Sequence, residues 1–452
     1  MFTFAVVALT CLTISIWSVD GSLRVHASLG RYVAIGLAGA IGAFMMASGR
    51  VKRLEGFDIG WLAIVFLVCV SWTYSIDPSA SIGRGIPLVA WSFSLYALTR
   101  VLPVVDGGSL AVLDALLAAV GAFLVVGAFL AFTQPELVFA GGRYTSSFRS
   151  ASALGETGCI VLPLVMWAAR YHPRRFARLP YCGLVFIMSG SLLASQVRNA
   201  IGCLIAGLVT TFLLRRKRSL AAEVPVLAAL LAVSIAGAYF CYGPFAETDV
   251  FRRYVSRKGT WETATGRFIL WHESVARFQE HPLIGFGYGT ESLAILSTDL
   301  PPYLRVRSRE LSFYQNYVPF LKLDTVEGLN THNTLLGVLV ELGVPGLVAF
   351  CTIIFYAFRG IMRVTPDSLP PRYQTLPPFI VGALVAGVLN SMFESDLLSP
   401  GGIGFALFWL IVAVSEGVRR GAITRFLPAN LRVRSAGATS RGGASGRLLV
   451  TR

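Results

Sequence analysis

Charged side chains are scarce in this chain. Aspartate, glutamate, lysine and arginine make up 14% of the 452 residues, whereas hydrophobic residues make up 55%. A soluble domain carries about 25% charged residues, because its surface must be wetted while one core buries the apolar side chains. The scarcity therefore excludes an ordinary soluble globular protein and favours a chain that lies mostly in lipid.

Cysteine is also sparse, and its placement excludes two further classes. The seven cysteines fall within or at the edges of apolar runs. A disulfide framework or a zinc site needs cysteines or histidines at short, paired spacings, and the sequence has none. No paired-carboxylate signature or Ser-His-Asp arrangement is recognisable either. The sequence predicts a protein without a metal or cofactor.

What the chain has instead is a series of long apolar runs. About 20 apolar residues are enough for a helix to cross a hydrocarbon layer of about 30 Å, and helices are the default in lipid because they bond their own backbone. The predicted fold class is therefore all-α, a polytopic membrane protein with about twelve transmembrane helices. The runs cover 2–19, 32–48, 59–76, 85–102, 110–133, 151–169, 181–196, 199–214, 224–242, 333–357, 376–393 and 402–418.

The net charge of +15 is concentrated at alternate ends of these runs. Such alternation is the positive-inside pattern of membrane proteins, so it predicts cytoplasmic termini and argues against nucleic acid as the partner. The basic clusters lie at Arg50–Arg53, Arg170–Arg178, Arg215–Arg218, Arg359–Arg363 and Arg419–Arg452, the last with eight arginines and no acid.

One long stretch of mixed polarity interrupts the apolar runs, and the charge pattern places it outside. The organisation predicted is transmembrane helices over 1–242, a periplasmic subdomain over 243–332, transmembrane helices over 333–418 and a basic, disordered cytoplasmic tail over 419–452. A membrane protein with one large aqueous loop is expected to do its work there.

Apolar residues at helical spacing predict an amphipathic helix over Arg267–Glu280 within that subdomain. Thr265 is the predicted cap, and His281–Pro282 ends the helix. Glycines at 285, 287 and 289 follow. A nucleotide loop would need a strand before these glycines, so a backbone turn that allows close approach to the membrane or a ligand is favoured.

His332 has the clearest chemical potential, since it directly precedes the apolar run 333–357. A helix N-terminus offers free N–H groups and a partial positive charge that favour an anion, and an imidazole there can accept a proton. A capping or merely interfacial histidine is the structural alternative.

Arg198 lies between two closely spaced runs. Because an arginine in lipid costs several kcal/mol, it should face water, protein or an anion, and its planar fork suits phosphate. Snorkelling to the interface is the alternative. Arg143, Arg149 and Arg267 are also predicted on the outer side, where each alone could be solvated and together they could form a positive cluster.

Glu341 is an acid inside an apolar run. It should pair with an arginine or face a polar cavity. Gly343 and Pro345 follow it and should kink or break the helix. A structural role is therefore favoured over a catalytic one.

Together, several of these segments resemble the O-antigen ligase/polymerase superfamily. The resemblance covers roughly residues 130–360, and the number of spans and the position of the loop agree with it. The matching segments are Ser195–Ala200 with two residues inserted before its arginine, Gly266–Trp271, His281–Gly289, Thr331–Gly337 and Glu341–Gly346.

The resemblance implies a metal-independent, inverting glycosyltransferase of the GT-C class in the bacterial inner membrane. The donor would be an undecaprenyl-diphosphate-linked oligosaccharide, and a flippase and a chain-length regulator would be partners. His332 would orient or deprotonate the acceptor hydroxyl or steady the diphosphate, supported by Trp271, Asn333 and Glu341. The diphosphate would be held by Arg198 and Arg267, with Arg143 or Arg149 assisting.

The sequence does not decide which molecule accepts the glycan. Another lipid-linked repeat would make the protein a polymerase of exopolysaccharide or O-antigen, which is the favoured function. Lipid A-core would make it a ligase, and a protein acceptor would make it an oligosaccharyltransferase. A polysaccharide transporter is the alternative from another class, but it would not need the outer loop.

Overall fold

The structure is a computed structural model, and the great majority of the residues it describes are helical. It describes residues 55–101, 108–140, 143–148, 150–215, 260–296, 331–365, 367, 369, 371, 373–395, 397–400 and 402–426, together with Ala40 and Phe44. Within these residues the chain also forms one short antiparallel pairing, in which Phe139 lies opposite Tyr144 and Ala140 opposite Arg143.

The elements follow in this order. They are α1 (Gly56–Ser71), α2 (Pro78–Val101), α3 (Gly108–Thr133), α4 (Pro135–Val138), β1 (Phe139–Ala140), β2 (Arg143–Tyr144), α5 (Ala151–Tyr171), α6 (Arg175–Ser195), α7 (Arg198–Leu214), α8 (Thr260–Glu280), α9 (Glu291–Leu296), α10 (Thr334–Met362), α11 (Leu376–Asn390) and α12 (Ile403–Phe426).

Each predicted apolar run from 59 to 214 and from 333 to 418 coincides with one of the long helices. The runs at 2–19, 32–48 and 224–242 lie outside the described residues, apart from Ala40 and Phe44. Within the part of the chain that the structure describes, the helices long and apolar enough to cross a membrane are Ser109–Thr133, Ala151–Tyr171, Arg175–Ser195 and Thr334–Met362. The protein is a multi-pass helical membrane protein, and the total of twelve spans stays a prediction.

Small residues bring α7 and α11 together as an antiparallel pair. A Cβ placed on Gly207 would lie 2.5 Å from the Gly382 carbonyl oxygen, so only glycine permits this approach of the two backbones. Nearer the start of α7, Asn199 Nδ2 donates to Asn390 Oδ1 over 3.3 Å. Close backbone approach at small residues is how membrane helices gain packing energy without a hydrophobic driving force.

The antiparallel packing sorts the helix ends into two groups. One group joins the beginnings of α2, α5, α7 and α10 with the ends of α1, α6 and α11, and we call it the site end. The other group joins the ends of α2, α5, α7, α10 and α12 with the beginning of α6. It carries most of the described arginines, and we call it the arginine end. There Arg215 donates to Tyr171 Oη over 2.6 Å, and Arg419 pairs with Glu416 at 2.6 Å.

Helix α10 is broken where the sequence predicts it. Gly343 has φ +65° and ψ −164°, which is not helical, and Pro345 has no N–H to donate to the carbonyl of Glu341. The carbonyls of Val340 and Glu341 and the N–H of Val344 therefore lose their partners within the helix. Buried backbone groups of this kind must find other partners.

The glycine-rich turn over 281–290 supplies those partners. It lies against the break, and its glycines at 285, 287 and 289 all have positive φ. The prediction of a turn is confirmed, and the glycine at 285 lies against the backbone of α10 at Glu341. Three hydrogen bonds join the turn to α10: Phe286 N to Val340 O at 2.8 Å, Gly287 N to Glu341 O at 3.0 Å, and Val344 N to Pro282 O at 2.9 Å.

Two predicted boundaries need correction. Helix α8 begins at Thr260, so Thr265 lies inside the helix and does not cap it; the end at Glu280 is as predicted. Helix α12 continues past residue 418 to Phe426, so the first residues of the predicted tail are helical. The remainder of that tail lies outside the described residues.

Candidate active site at the site end

His332 sits in strained backbone immediately before α10. Its φ is +48°, a left-handed value that few residues other than glycine adopt. The helix is capped by Asn333, whose side-chain oxygen accepts from Leu335 N at 3.0 Å and Leu336 N at 3.2 Å. The capping role that was the alternative for His332 is thus filled by its neighbour Asn333.

The imidazole of His332 is paired with a carboxylate. Its Nδ1 lies 3.0 Å from Glu394 Oε2, and the two side chains are 34% and 9% exposed. A carboxylate that accepts from one ring nitrogen fixes the orientation and tautomer of a histidine. The pair therefore joins a half-buried imidazole to a buried carboxylate, an arrangement that can serve as a general base.

Glu394 is placed by contacts between the start of α10 and the segment after α11. Thr334 Oγ1 donates to the Glu394 carbonyl over 3.0 Å, and Thr334 N donates to the Ser391 carbonyl over 2.8 Å. Leu397 N in turn donates to Thr334 Oγ1 at 3.4 Å. One buried threonine thus ties the two segments that carry the histidine and its acid.

Thr331, on the other side of His332, is held at both of its backbone groups. Its carbonyl accepts from Trp271 Nε1 of α8 at 2.8 Å, and its N–H donates to the Glu291 carboxylate of α9. The resemblance implied a supporting role for Trp271, and the structure places this side chain one residue from His332.

Glu291, which contacts Thr331, also lies next to Glu341, and both acids are buried. The N–H of Glu291 donates to Glu341 Oε1 over 3.4 Å. Burial raises the pKa of the Glu291 carboxyl above its ordinary range, while the bond from Thr331 and the charges of His332 and Arg84 act in the opposite direction. Glu341 therefore faces another acid, with Arg84 of α2 close by.

Arg198 is at the same end of the bundle. It is the first residue of α7, and its side chain is exposed. The N-cap residue, Val197, makes no side-chain hydrogen bond to the helix, since it has no acceptor. The pairing of Asn199 with Asn390 ties this helix start to the end of α11, four residues before Glu394.

The other predicted arginines are less fully described. Arg143 lies half-buried in β2, which contacts α6 and precedes α5 at the site end. Arg267 belongs to α8, four residues before Trp271, and its side chain lies outside the described part of the chain, as does the whole of Arg149. A diphosphate role for these three stays a prediction.

Glu291 and Glu394 were missed as site residues by sequence reasoning. Neither has a motif of its own, and each meets the histidine segment only through the fold. A signal existed for Glu394, an acid at the edge of an apolar run, which is costly unless partnered. Among the described residues, no group of three or more His, Cys, Asp or Glu is suited to hold a metal ion.

Residues 183–351 match the family described as O-Antigen ligase. This range includes Arg198, Trp271 and His332 and stops before Glu394. The chain is similar to "Exopolysaccharide production protein ExoQ" of Rhizobium meliloti (strain 1021), with 25% identity over 393 residues, or 82% of this chain and 80% of that protein.

A second relative is "Putative polysaccharide ligase" of Rickettsia felis. It is 21% identical over 282 residues, which cover 60% of this chain and 60% of the Rickettsia protein. The match with the family and the two relatives agrees with the resemblance seen in the sequence. The chain is therefore similar to the O-antigen ligase/polymerase superfamily over these residues, and this similarity supports a polysaccharide-related membrane enzyme.

Proposed function

We propose that this protein is an inner-membrane glycosyltransferase that acts on the periplasmic side. It transfers a glycan from an undecaprenyl-diphosphate-linked donor to a sugar hydroxyl, inverts the anomeric carbon and releases undecaprenyl diphosphate. No metal is required, because the diphosphate is already an activated leaving group. The observation that carries the proposal is the His332–Glu394 pair, with Nδ1 and Oε2 separated by 3.0 Å.

The pair provides the general base. In this proposal Glu394 accepts the Nδ1 hydrogen of His332, and Nε2 receives the proton of the acceptor hydroxyl. As the hydroxyl oxygen bonds to the anomeric carbon, its proton passes to Nε2 and the bond from that carbon to the diphosphate oxygen breaks. The imidazolium that forms is stabilised by the buried carboxylate. A positioned base of this kind contributes about 10²- to 10⁴-fold in rate.

The start of α7 is the proposed diphosphate site. Arg198 is exposed there, and the first turn has no side-chain cap from Val197. Free N–H groups at a helix N-terminus and a guanidinium both favour an anion, and together they can stabilise the negative charge that develops on the leaving diphosphate. Arg267, Arg143 and Arg149 are further candidates for the same ligand.

The proposed acceptor is another lipid-linked oligosaccharide, so the product is a growing polysaccharide. The similarity to a protein named for exopolysaccharide production supports this choice. The similarity to a protein named as a polysaccharide ligase favours transfer to lipid A-core as the second candidate. In either case a flippase would deliver the donor to the outer face, and a chain-length regulator would accompany a polymerase.

The test is transfer by the purified protein in lipid vesicles. The only substrate is undecaprenyl-diphosphate oligosaccharide, with EDTA present and nucleotide absent. Polymerase activity appears as a ladder of longer lipid-linked chains. Transfer only after lipid A-core is added identifies a ligase, and no transfer to either acceptor contradicts the proposed function.

Two variants assign the roles. His332→Ala should lower kcat by about 10²-fold or more because the base is lost. Arg198→Lys should raise the donor KM or lower kcat by about tenfold, because a lysine cannot make the bidentate contact. Arg175, exposed at the arginine end, is the matched control, and Arg175→Lys should leave turnover unchanged. Wild-type turnover in His332→Ala or Arg198→Lys removes that residue from the site.

A further inference from the structure

We infer that Glu291 is a positioning residue for His332: it holds the Thr331 N–H and so maintains the strained backbone that presents the imidazole. The inference rests on the proposed function, because it assumes that His332 acts on the acceptor. Glu291 itself does not bond to the ring. It acts through the backbone N–H of Thr331, the residue that precedes His332.

The backbone of His332 needs such a constraint. A non-glycine residue in the left-handed conformation is strained and persists only where its surroundings enforce that conformation. On the C-terminal side of His332, the constraint is the Asn333 cap and the bond from Thr334 to Ser391. On the N-terminal side, it is the pair of bonds that Thr331 makes with Glu291 and Trp271.

The position of Glu291 is itself fixed by α10. Its N–H donates to Glu341 Oε1, and its carboxylate lies directly over Gly337, where an added Cβ would be 3.0 Å from Oε2. The side chain is 7% exposed. Gly337 and Glu341 both belong to the first part of α10. Glu291 therefore fixes the position of Thr331, and with it His332, relative to that helix.

The chemistry at this position requires an acceptor rather than a charge. The bond from Thr331 needs a carbonyl-type oxygen at the end of a two-carbon side chain, and glutamine offers the same oxygen at the same reach. Leucine has a similar size but no acceptor, and it would leave the Thr331 N–H buried without its partner. Glutamine thus removes the charge and keeps the hydrogen bond, whereas leucine removes the hydrogen bond and keeps the size. Comparing the two variants shows which property of Glu291 matters.

The experiment compares Glu291→Gln and Glu291→Leu in the vesicle assay. Glu291→Leu should lower kcat by about 10- to 100-fold, the range expected when a catalytic group is displaced by a fraction of an ångström to 1 Å. The donor KM should stay within about twofold, since the diphosphate site at Arg198 is untouched. Glu291→Gln should restore kcat to within about twofold of wild type.

A second measurement does not depend on activity. Modification of histidines by diethyl pyrocarbonate, followed by mass spectrometry of the peptides, reports how His332 is held. The His332 peptide should react several-fold faster in Glu291→Leu and at the wild-type rate in Glu291→Gln. His272, whose side chain is 83% exposed, is the internal reference. Glu280→Leu, which alters an exposed acid of α8, is the control variant.

The outcomes separate this inference from the proposed function. If wild type and Glu291→Leu have equal kcat and equal His332 labelling, Glu291 does not position His332, although the proposed function stands. If Glu291→Gln is as impaired as Glu291→Leu, the carboxylate charge matters and the positioning role is wrong. If wild type transfers no glycan while the labelling changes as expected, the proposed function fails and the structural link remains.

Discussion

At the residue scale, the site joins one strained histidine to an acid supplied by a different segment. Glu394 is 9% exposed and contacts Nδ1 of His332, so its charge acts with little screening from water. The shape and the charge of the Glu394 carboxylate have separate roles. In the proposed mechanism, the oxygen that accepts from Nδ1 orients the ring, and the negative charge stabilises the imidazolium that would form when the acceptor is deprotonated.

Glu394→Gln removes the charge and keeps an acceptor of nearly the same size. A hydrogen bond to a charged group is worth about 1.5–3 kcal/mol, against about 1 kcal/mol for a neutral bond. The loss should fall on the transition state, so we expect kcat to drop about tenfold and donor KM to change little. Steady-state rates of transfer measure this, with Glu280→Gln as an exposed control. Unchanged kcat in Glu394→Gln would show that the acid only orients the ring.

The sequence reveals the histidine of this pair and not its partner. His332 is conspicuous because a polar, titratable residue stands at the start of a long apolar run. Glu394 and Glu291 are separated from it by 62 and about 40 residues, and which acid reaches the imidazole depends on how α9 and α11 pack on α10. Hydrophobic periodicity predicts helices, but it contains no information on which ends meet.

At the element scale, the break in α10 and the glycine-rich turn form one unit. Each provides the hydrogen bonds that the other lacks, because Gly343 and Pro345 free backbone groups that residues 282, 286 and 287 satisfy. The break itself follows from the Gly-x-Pro sequence and could be predicted. Its partner could not, since the glycine spacing shows a turn without showing what the turn contacts.

Gly343→Ala tests this unit. The residue has a backbone conformation that is almost restricted to glycine, and an added Cβ would lie 2.7 Å from the backbone of Pro282 and Leu283. We expect the free energy of unfolding to fall by about 1–3 kcal/mol or more, seen as a lower Tm in detergent, together with reduced transfer. The matched control is Gly190→Ala in α6, where a Cβ would meet nothing within 4 Å and helix propensity favours alanine. A Tm equal to wild type in Gly343→Ala contradicts this account.

At the scale of the whole molecule, the arginine end and the candidate active site lie at opposite ends of the helices. The arginine end collects the ends of α2, α5, α7, α10 and α12 and the beginning of α6, while the site end carries His332, Glu394 and Arg198. The alternation of basic clusters along the sequence predicts this sorting, because a membrane-spanning helix that begins at one end must finish at the other. The packing of the helices against one another agrees with it for the described residues.

The side of the membrane on which each end lies can be measured directly. The positive-inside rule predicts that the arginine end is cytoplasmic and the site end is periplasmic. In a protein whose seven native cysteines are replaced, Glu280→Cys and Arg175→Cys introduce one exposed thiol at each end. A membrane-impermeant maleimide should label position 280 in intact spheroplasts and position 175 only after the membrane is permeabilised, with the cysteine-free protein as the background. The reverse pattern would place His332 in the cytoplasm, where a lipid-linked glycan that has already crossed the membrane could not reach it, and would overturn the proposed orientation.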